Sequence, residues 1–331
     1  MLELVNLSNY RMDNENLIHN DARSLARLLH EHGLDGIELM LCQPWDPVMH
    51  KAAWVKGIHL RFWPNWLDFW RGDRKAVAAE IGDSTACYGG QKRADWLEVY
   101  RQNIRAAAQT PAQYMVYHIT NARGSESFDY RFARNSREVV CAAVEVLNEL
   151  ADEIPADRYL LLENLWWPGL TLLDRDLVEY LILHIKHKRI GFMLDTGHLM
   201  NMNHSLRTQK EAVEYVLSVV NNLGPYKRYI RGIHLHYSLS GEYVEKNIQR
   251  HCRGAVDLSL MDHILKIDQH QPFGDPIVGK LVQSLQPDYL VHEFIQYSRQ
   301  DWESKLFKQK KALRAGGQGE ESMDANNIVA I

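Results

Sequence analysis

The segment "GFMLDTGHL", residues 191–199, places two chemically active side chains at the end of an apolar run. Residues 192–194 predict a buried strand, yet the strand ends in Asp195, and His198 follows three positions later. A buried carboxylate is unfavourable unless another group compensates its charge. The two residues therefore predict a partner at this strand end, either a metal ion or a substrate.

Residues of the same kind end most of the other strands that the sequence predicts. Apolar segments predict strands near residues 3–8, 36–42, 57–62, 113–119, 159–165, 190–196, 230–237 and 288–295. Helical patterns separate them at residues 21–32, 95–109, 136–153, 174–187, 208–223 and 277–286. The strand ends carry side chains of the types that bind metals: Glu38, His59, His118, Glu163, Asp195 with His198, His234 with His236, and Glu293.

Eight strands that alternate with helices favour an α/β fold, a (β/α)₈ TIM barrel, formed as one domain over residues 1–308. A doubly wound open sheet is the alternative, but no G-x-G-x-x-G sequence follows the first strand. A long aromatic insertion, residues 63–94, follows strand three. It predicts either a lid with Trp63 against the substrate or an aromatic mini-core on the barrel rim. Residues 309–331 are polar and glycine-rich, which predicts a disordered tail.

Four of the strand-end residues are expected to form one metal site. Glu163, Asp195, His234 and Glu293 end the predicted strands five to eight, and such ends meet at the carboxyl face of a barrel. Several carboxylates at one point repel each other unless a cation lies between them. Mixed carboxylate and imidazole ligands suit Zn²⁺, Mn²⁺, Co²⁺ or Fe²⁺. We therefore predict a divalent metal cofactor, with one to three ions.

The other strand-end residues leave two interpretations each. His59 and His118 are either further metal ligands or core histidines with satisfied hydrogen bonds. His236 either supports a ligand or faces the substrate, and Trp166 either packs in the core or stacks on a substrate. Glu38 either contacts the substrate or pairs with an arginine.

The composition narrows the classes of partner. Lys and Arg number 38 against 42 Asp and Glu, a net charge of −4, so no global basic field favours nucleic acid. Four scattered cysteines fit free thiols in a reducing compartment. Neither a signal peptide nor a membrane-spanning run is evident, which predicts a cytoplasmic protein with a small-molecule substrate. The Trp-rich insertion could also serve as a homo-oligomer contact.

The motifs "ENL", "LDTGH", "GIHLH" and "HEF", in this order over residues 1–305, resemble the xylose-isomerase-like TIM barrel superfamily. This superfamily includes sugar phosphate isomerases and epimerases and AP endonuclease family 2. The resemblance implies a metal held by Glu163, Asp195, His234 and Glu293. In the epimerases and isomerases, Glu163 and Glu293 would be the acid and base of a single-metal site. Their pattern continues with an acidic residue and an arginine after the strand-seven histidine, whereas this chain has "HLHYSLSGEY".

The endonuclease-like phosphodiesterases of the superfamily hold two or three metals, and they match further histidines of this chain. His59, His118 and His198 correspond to three of their ligands, and His251 to a fourth, although Gln249 stands where an aspartate is expected. The set "ENL", "LDTGHL" and "HLH" is also similar to cobamide-remodelling phosphodiesterases. We therefore expect a metal-dependent hydrolase of a small phosphodiester, nucleotide-like or sugar-phosphate substrate. A sugar isomerase or epimerase is the alternative, and a non-catalytic binder is the third.

Overall fold

A computed structural model describes residues 1–251 and 259–317, with His251 described only as the last residue of a helix. Within these residues, parallel strands pair in chain order and close into a barrel, β8 pairing with β1. This confirms the predicted (β/α)₈ architecture. The strands are β1 Leu2–Ser8, β2 Gly36–Met40, β3 Val55–His59, β4 Tyr114–His118, β5 Tyr159–Glu163, β6 Ile190–Asp195, β7 Ile230–Leu235 and β8 Tyr289–His292.

Strand alternation and register bring the chemically active residues to one level inside the barrel. Leu161 belongs to the apolar cluster that fills the barrel interior, so Glu163, two positions later on the same strand, faces the interior as well. In the ladder, His118 lies opposite Glu163 and Asp195 lies opposite His234. The carboxyl ends of the strands therefore form a ring of polar side chains above an apolar plug.

Helices cover the outside of the barrel and include all six that the sequence predicts. Capping boxes begin two of these, through Asn135 with Glu138 and through Thr208 with Glu211. None of the helices in the described ranges is long and apolar enough to cross a membrane. The helices are α1 Arg11–Ile18, α2 Ala22–Glu31, α3 Leu67–Arg71, α4 Arg74–Ile81, α5 Ser84–Tyr88, α6 Arg93–Ala108, α7 Glu126–Asp129, α8 Ser136–Leu150, α9 Arg175–His184, α10 Thr196–Met200, α11 Gln209–Asn222, α12 Gly241–His251, α13 Leu260–Ile267, α14 Val278–Leu285 and α15 Arg299–Gly317.

The insertion after β3 forms an aromatic mini-core, which was one of its two predicted interpretations. Trp66, Phe69 of α3 and Tyr88 of α5 pack their rings against Trp96 of α6. Trp63 belongs to this core: its ring lies 4.7 Å from that of Tyr100, and its indole N–H donates to the carbonyl of Cys87 at 2.7 Å. The structure thus gives Trp63 a packing role in the mini-core, and a substrate contact by Trp63 stays a prediction.

The C-terminal helix corrects the predicted start of the tail. Helix α15 continues through Gly317, so residues 309–317 are helical and not disordered; residues 318–331 lie outside the described ranges. Gln309 is fully buried and donates to the carbonyl of Leu235 at 2.8 Å. Lys310 pairs with Glu3 of β1, which also accepts from His292 of β8 at 2.7 Å. These polar contacts hold α15 against the strands where the barrel closes. A pattern of apolar residues does not reveal them.

The charge of Glu3 is expected to stabilise this closure at neutral pH. Although burial raises the pKa of Glu3, His292 and then Lys310 lower it from 4.5 to about 2. A lowered folded-state pKa adds stability that is present above pH 4.5 and is lost as the pH falls towards 2. Glu3→Gln should therefore lower the free energy of unfolding by roughly 2–3 kcal/mol at pH 7.

Urea unfolding at pH 7, 5 and 3 measures this effect, and the difference between Glu3→Gln and the unmodified protein should shrink at pH 3. The matched control is Glu31→Gln, since Glu31 is exposed at the end of α2 and its replacement should change stability by less than about 0.5 kcal/mol. A loss of the same size at all three pH values would show that Glu3 contributes by packing and not by charge.

Candidate metal centre

Three buried side chains from β5, β6 and β7 and a partly buried one just after β8 converge inside the barrel. Glu163, Asp195, His234 and Glu293 each offer a ligand atom, and these atoms lie within 4.8 Å of one another. We call them the strand-end group. The Nδ1 atom of His234 lies 2.8 Å from the carboxylate of Glu293 and 3.4 Å from that of Glu163. The structure brings together the four residues that the sequence pattern selects for one metal ion.

A second set of ligand atoms adjoins the first and shares Glu163 with it. His59, His118 and Glu163 form this histidine-pair group. The Nε2 atoms of the two histidines lie 3.0 Å apart, and they lie 3.3 Å and 3.0 Å from Glu163 Oε2. Of the two interpretations of these histidines, the geometry favours ligands, because their nitrogens face a carboxylate at the centre of the site.

A third set combines His198 of α10 with two residues of the loop after α13, and these two residues were missed in the sequence. His198, Asp268 and His270 offer atoms within the same 4.8 Å limit, and we call them the loop group. Asp268 Oδ2 lies 3.3 Å from His198 Nε2 and 2.8 Å from His270 Nε2. The signal was present as "DQH", residues 268–270, an aspartate two positions before a histidine.

The loop group offers an alternative to the predicted ligand His251. The sequence pattern selects that residue as the histidine after strand seven, despite Gln249 at the position expected for an aspartate. Asp268 and His270 have the expected spacing, an aspartate two positions before a histidine, and they lie later in the same connection after β7. The side chain of His251 lies outside the described part of the chain, so nothing in the structure supports it as a ligand.

Hydrogen bonds fix which nitrogen of each key histidine faces the site. Nδ1 of His59 lies 2.9 Å from the carbonyl of Leu60, and Nδ1 of His198 lies 2.9 Å from the carbonyl of Asn164. A carbonyl only accepts, so each Nδ1 carries the proton and each Nε2 is left as a lone-pair ligand. His234 uses its nitrogens the other way round. Its Nε2 contacts the carboxylate of Glu38, and its Nδ1 faces the strand-end group.

The "LDTGH" segment turns the chain so that Asp195 and His198 both point into the site. Asp195 Oδ1 caps helix α10 by accepting from the backbone N–H of His198 at 2.6 Å. Two hydrogen bonds between Asn164 and the Asp195 backbone, of 2.9 and 3.0 Å, tie the ends of β5 and β6 together. Thr196 donates to the carbonyl of His236 at 2.6 Å and so fixes β7 beside them. Asp195 thus ends β6 and caps α10 through Oδ1, while its Oδ2 faces the site.

Two residues predicted to contact substrate instead hold ligands in place. His236 is fully buried, its Nε2 lies 2.8 Å from Asp195 Oδ2, and its ring stacks on His270 at 3.9 Å. Glu38 is buried behind His234 and pairs with its Nε2 at 2.9 Å. For His236 this matches the supporting interpretation. For Glu38 it differs from both predicted interpretations, because its partner is a histidine of the site and not a substrate or an arginine.

The carboxylates of the site are strongly stabilised in their charged form. Burial raises the pKa of Glu163, but the neighbouring His118 and the other histidines outweigh it and lower that pKa well below its ordinary value. Burial likewise raises the pKa of Asp268, whereas His270 and His198 lower it well below 3.8. Both groups are therefore anions at neutral pH, as metal ligands must be.

When no cation is bound, protonated histidines balance the negative charge of the carboxylates. Burial lowers the pKa of His234, but Glu293, Glu38 and Glu163 together raise it well above 6.5. For His270, burial is outweighed by Asp268, and the pKa rises to about 9. Protons and metal ions would therefore compete for the same nitrogen atoms.

Several buried atoms of the site have no hydrogen-bond partner among residues 1–250 and 259–317. They include both carboxylate oxygens of Glu163, Nδ1 of His234 and Oε2 of Glu293. Unpaired buried polar atoms are costly and rare in folded proteins, and here they point at one another. Carboxylate and imidazole donors of this kind suit Zn²⁺, Mn²⁺, Co²⁺ or Fe²⁺. The residues therefore fit divalent metal ions, and they form four overlapping candidate sets: the three groups above and a fourth of His236, His270 and Glu293.

Aromatic rings border the ligand groups on two sides. Phe62 follows β3, is 38% exposed and lies 4.3 Å from the ring of His118; it was not singled out in the sequence. Trp166 is buried, its ring lies 5.0 Å from that of His198, and its N–H has no acceptor within the described residues. Trp166 packs with Trp167 in a small apolar cluster, so a substrate contact by Trp166 stays a prediction, whereas Phe62 is accessible.

Comparison with solved structures finds the same fold in proteins of two activities. Endonuclease IV from Thermus thermophilus is 13% identical, covers 95% of this chain and 99% of its own, and has a TM-score of 0.55. A D-tagatose 3-epimerase-like protein is 14% identical over 96% of this chain and 99% of its own, with a TM-score of 0.53. An L-ribulose 3-epimerase is 14% identical over 98% of each chain, with a TM-score of 0.51.

The curated proteins contain no sequence that matches this chain. A family model does match: the one described as "Xylose isomerase-like TIM barrel" aligns with residues 26–283, well over half of the chain. The chain therefore belongs to the xylose isomerase-like TIM barrel family.

Proposed function

We propose that this protein is a metal-dependent hydrolase of a small phosphodiester. The observation that carries the proposal is the loop group, His198, Asp268 and His270, which offers ligands for a further ion beside the strand-end and histidine-pair groups. A cluster of metal ions suits phosphodiester cleavage, because separate ions stabilise the attacking and the leaving oxygen. Proton transfer in a sugar needs only one ion. The fold that the chain shares with endonuclease IV agrees with this choice.

Each ion would have its own ligand group, with Glu163 shared. Glu163 Oε2 lies 3.3 and 3.0 Å from Nε2 of His59 and His118, and 3.4 Å from Nδ1 of His234. The carboxylate therefore faces both the histidine-pair group and the strand-end group. When bound, divalent ions neutralise phosphate charge and make water a competent nucleophile at neutral pH.

Within the strand-end group, Glu293 is the carboxylate best placed to exchange a proton with the reacting water. Its side chain is 13% exposed, whereas those of Glu163 and Asp195 are at most 1% exposed. Glu293 therefore lies at the side of the cluster that a substrate reaches. Glu163 and Glu293 are the two residues that we propose as catalytic, the first by holding ions and the second by holding ions and accepting a proton.

The charge of the cluster explains how a phosphodiester would bind. Five carboxylates, Glu38, Glu163, Asp195, Asp268 and Glu293, lie in or beside the ligand groups, and within the described residues histidines are their sole ion-pair partners. An anionic substrate would be repelled by these carboxylates. Three divalent ions would offset them and leave a positive surface for a phosphate. The accessible ring of Phe62 beside His118 offers a stacking surface for a planar group, so we propose a nucleotide-like substrate.

A sugar epimerase or isomerase is the second candidate. The strand-end group alone can hold one ion, with Glu163 and Glu293 as acid and base. Two proteins of the same fold are an L-ribulose 3-epimerase and a D-tagatose 3-epimerase-like protein. For this function the loop group would have no role, which is why the hydrolase is the first choice.

Metal content separates the two candidates. Elemental analysis after reconstitution with Zn²⁺ or Mn²⁺ should give about three ions per chain. His270→Ala should lose about one ion, because the loop group would keep only two side chains. His251→Ala should lose none, since Asp268 and His270 take the role first assigned to His251.

The matched control is His184→Ala, which lies on the outer helix α9 with its Nδ1 on the carbonyl of Tyr180. Circular dichroism establishes that each variant is folded. A single ion in the unmodified protein, unchanged by His270→Ala, would contradict the hydrolase and favour an epimerase.

Activity on bis(p-nitrophenyl) phosphate tests the chemistry. Glu163→Gln and Glu293→Gln should each lower kcat about 100- to 10,000-fold, because both lose a ligand oxygen and Glu293 also loses the proton acceptor. His59→Ala and His118→Ala should lower both the rate and the metal content. If these two variants kept full metal content and the protein epimerised a ketose, the single-metal function would replace the one proposed.

Phe62 should affect substrate binding more than turnover. Loss of a base–aromatic stack worth about 1–3 kcal/mol should raise KM about 5- to 100-fold for a nucleoside p-nitrophenyl phosphate in Phe62→Ala. Methyl p-nitrophenyl phosphate has the same leaving group without a base, so its KM should barely change. Phe62→Tyr keeps the ring and should behave as the unmodified protein. Equal effects on both substrates would exclude stacking on Phe62.

A further inference from the structure

A buried carboxylate lies directly behind one of the proposed metal ligands. Glu38 Oε1 lies 2.9 Å from Nε2 of His234, and both residues are at most 2% exposed. The opposite ring nitrogen, Nδ1, faces Glu293 at 2.8 Å and Glu163 at 3.4 Å. The imidazole ring therefore separates Glu38 from the strand-end group. Glu38 cannot itself bind the ion of that group while it holds this position.

The second oxygen of Glu38 is held by a phenol from two strands away. Tyr114 Oη donates to Glu38 Oε2 at 2.7 Å. In the ladders, Glu38 of β2 lies opposite Gly57 of β3, and Gly57 lies opposite Tyr114 of β4. The three residues thus form one row across the barrel wall, and the phenol crosses the central strand at the glycine.

Gly57 is needed for this crossing because any side chain would collide with the phenol. A Cβ atom at residue 57 would lie 2.1 Å from Tyr114 Cζ and 2.4 Å from its Oη. The ring of Tyr114 is packed from another side by Tyr289, at 4.3 Å between ring centroids. Burial, and then the charge of Glu38, raise the pKa of Tyr114 well above 10, so the phenol keeps its proton and acts as a donor.

We propose that Glu38 and Tyr114 are a positioning pair that fixes His234 for metal binding. Glu38 accepts the Nε2–H of His234, which leaves the lone pair of Nδ1 directed at the ion of the strand-end group. Tyr114 fixes the orientation of Glu38. A carboxylate behind a ligand histidine holds its ring and increases its basicity, and loss of such a partner weakens metal binding. This inference rests on the proposed metal-dependent function and deepens it.

A purely structural role explains the arrangement less well. Burying a carboxylate in a barrel interior costs free energy that a single imidazole partner need not recover, and an apolar residue at position 38 would fill the same space without that cost. The row also requires a glycine at position 57, which weakens a strand. A role in metal binding accounts for all three residues.

Affinity for Co²⁺, measured by chelator competition on the full chain, tests the pair. Glu38→Gln keeps the shape and an acceptor for His234 but removes the charge, and it should weaken the tightest Co²⁺ site about 10- to 100-fold. Tyr114→Phe should weaken the same site less, about 3- to 10-fold, because Glu38 would keep its charge but lose its anchor. Gly57→Ala should act in the same direction by displacing the phenol.

Tyr289→Phe is the matched control. Tyr289 packs on Tyr114 in the same interior cluster, but its hydroxyl donates to Gln113 and not to Glu38. Its Co²⁺ affinity should equal that of the unmodified protein. Urea unfolding of each metal-free variant provides the second measurement, because a structural role would change unfolding and leave affinity alone.

The outcomes are distinguishable from failure of the proposed function. If the unmodified protein bound no Co²⁺, the metal-dependent function itself would fail. If it bound Co²⁺ and both Glu38→Gln and Tyr114→Phe kept its affinity, the function would stand and the positioning pair would be wrong. Weaker Co²⁺ binding in these two variants, with Tyr289→Phe unchanged, supports the pair.

Discussion

Mutual repulsion between buried carboxylates is the constraint on which the rest of this structure depends. Glu163, Asp195 and Glu293 lie within one ligand group at the centre of the barrel, and they are at most 13% exposed. Like charges at such distances in a medium of low polarity are strongly unfavourable. Only cations or protonated histidines can hold them there, and each of four histidines lies within 3.3 Å of Glu163 or Glu293: His59, His118, His198 and His234. The site is thus a set of anions arranged for positive charge, and its surrounding hydrogen bonds keep that arrangement in place.

The barrel supplies one part of the site and its loops supply another. Residues at strand ends, such as Glu163 and His234, are placed by ladder register, which fixes both their level and their direction. Asp268 and His270 are placed instead by a long connection after β7, where Gln271 pairs with Tyr237 through two backbone hydrogen bonds. The strand-borne ligands need only the fold, whereas the loop-borne ligands require a particular connection.

This division explains what could be predicted from sequence. The strands are recognisable because apolar runs with a polar end are a local pattern, and the ladder then aligns Glu163, Asp195 and His234. Two members of the loop group, Asp268 and His270, were missed. No local pattern indicates which histidine of a long connection lies at the site. Position alone favours His251, while "DQH" at residues 268–270 has the better spacing. The predicted disorder of residues 309–317 was wrong because tertiary packing, and not composition, decides whether a polar residue such as Gln309 is enclosed.

The same division separates the candidate chemistries on this scaffold. A single ion at the strand-end group needs nothing beyond the barrel, so that group alone does not distinguish an epimerase from a hydrolase. The proposed hydrolase rests on the loop group, in which Asp268 lies 3.3 Å from His198 and 2.8 Å from His270. Hydrogen bonds also hold His198 with its Nε2 directed at Asp268. A connection that places two further candidate ligands, and a histidine of α10 whose Nε2 faces them, agree with the proposed phosphodiester hydrolysis, which uses a cluster of ions.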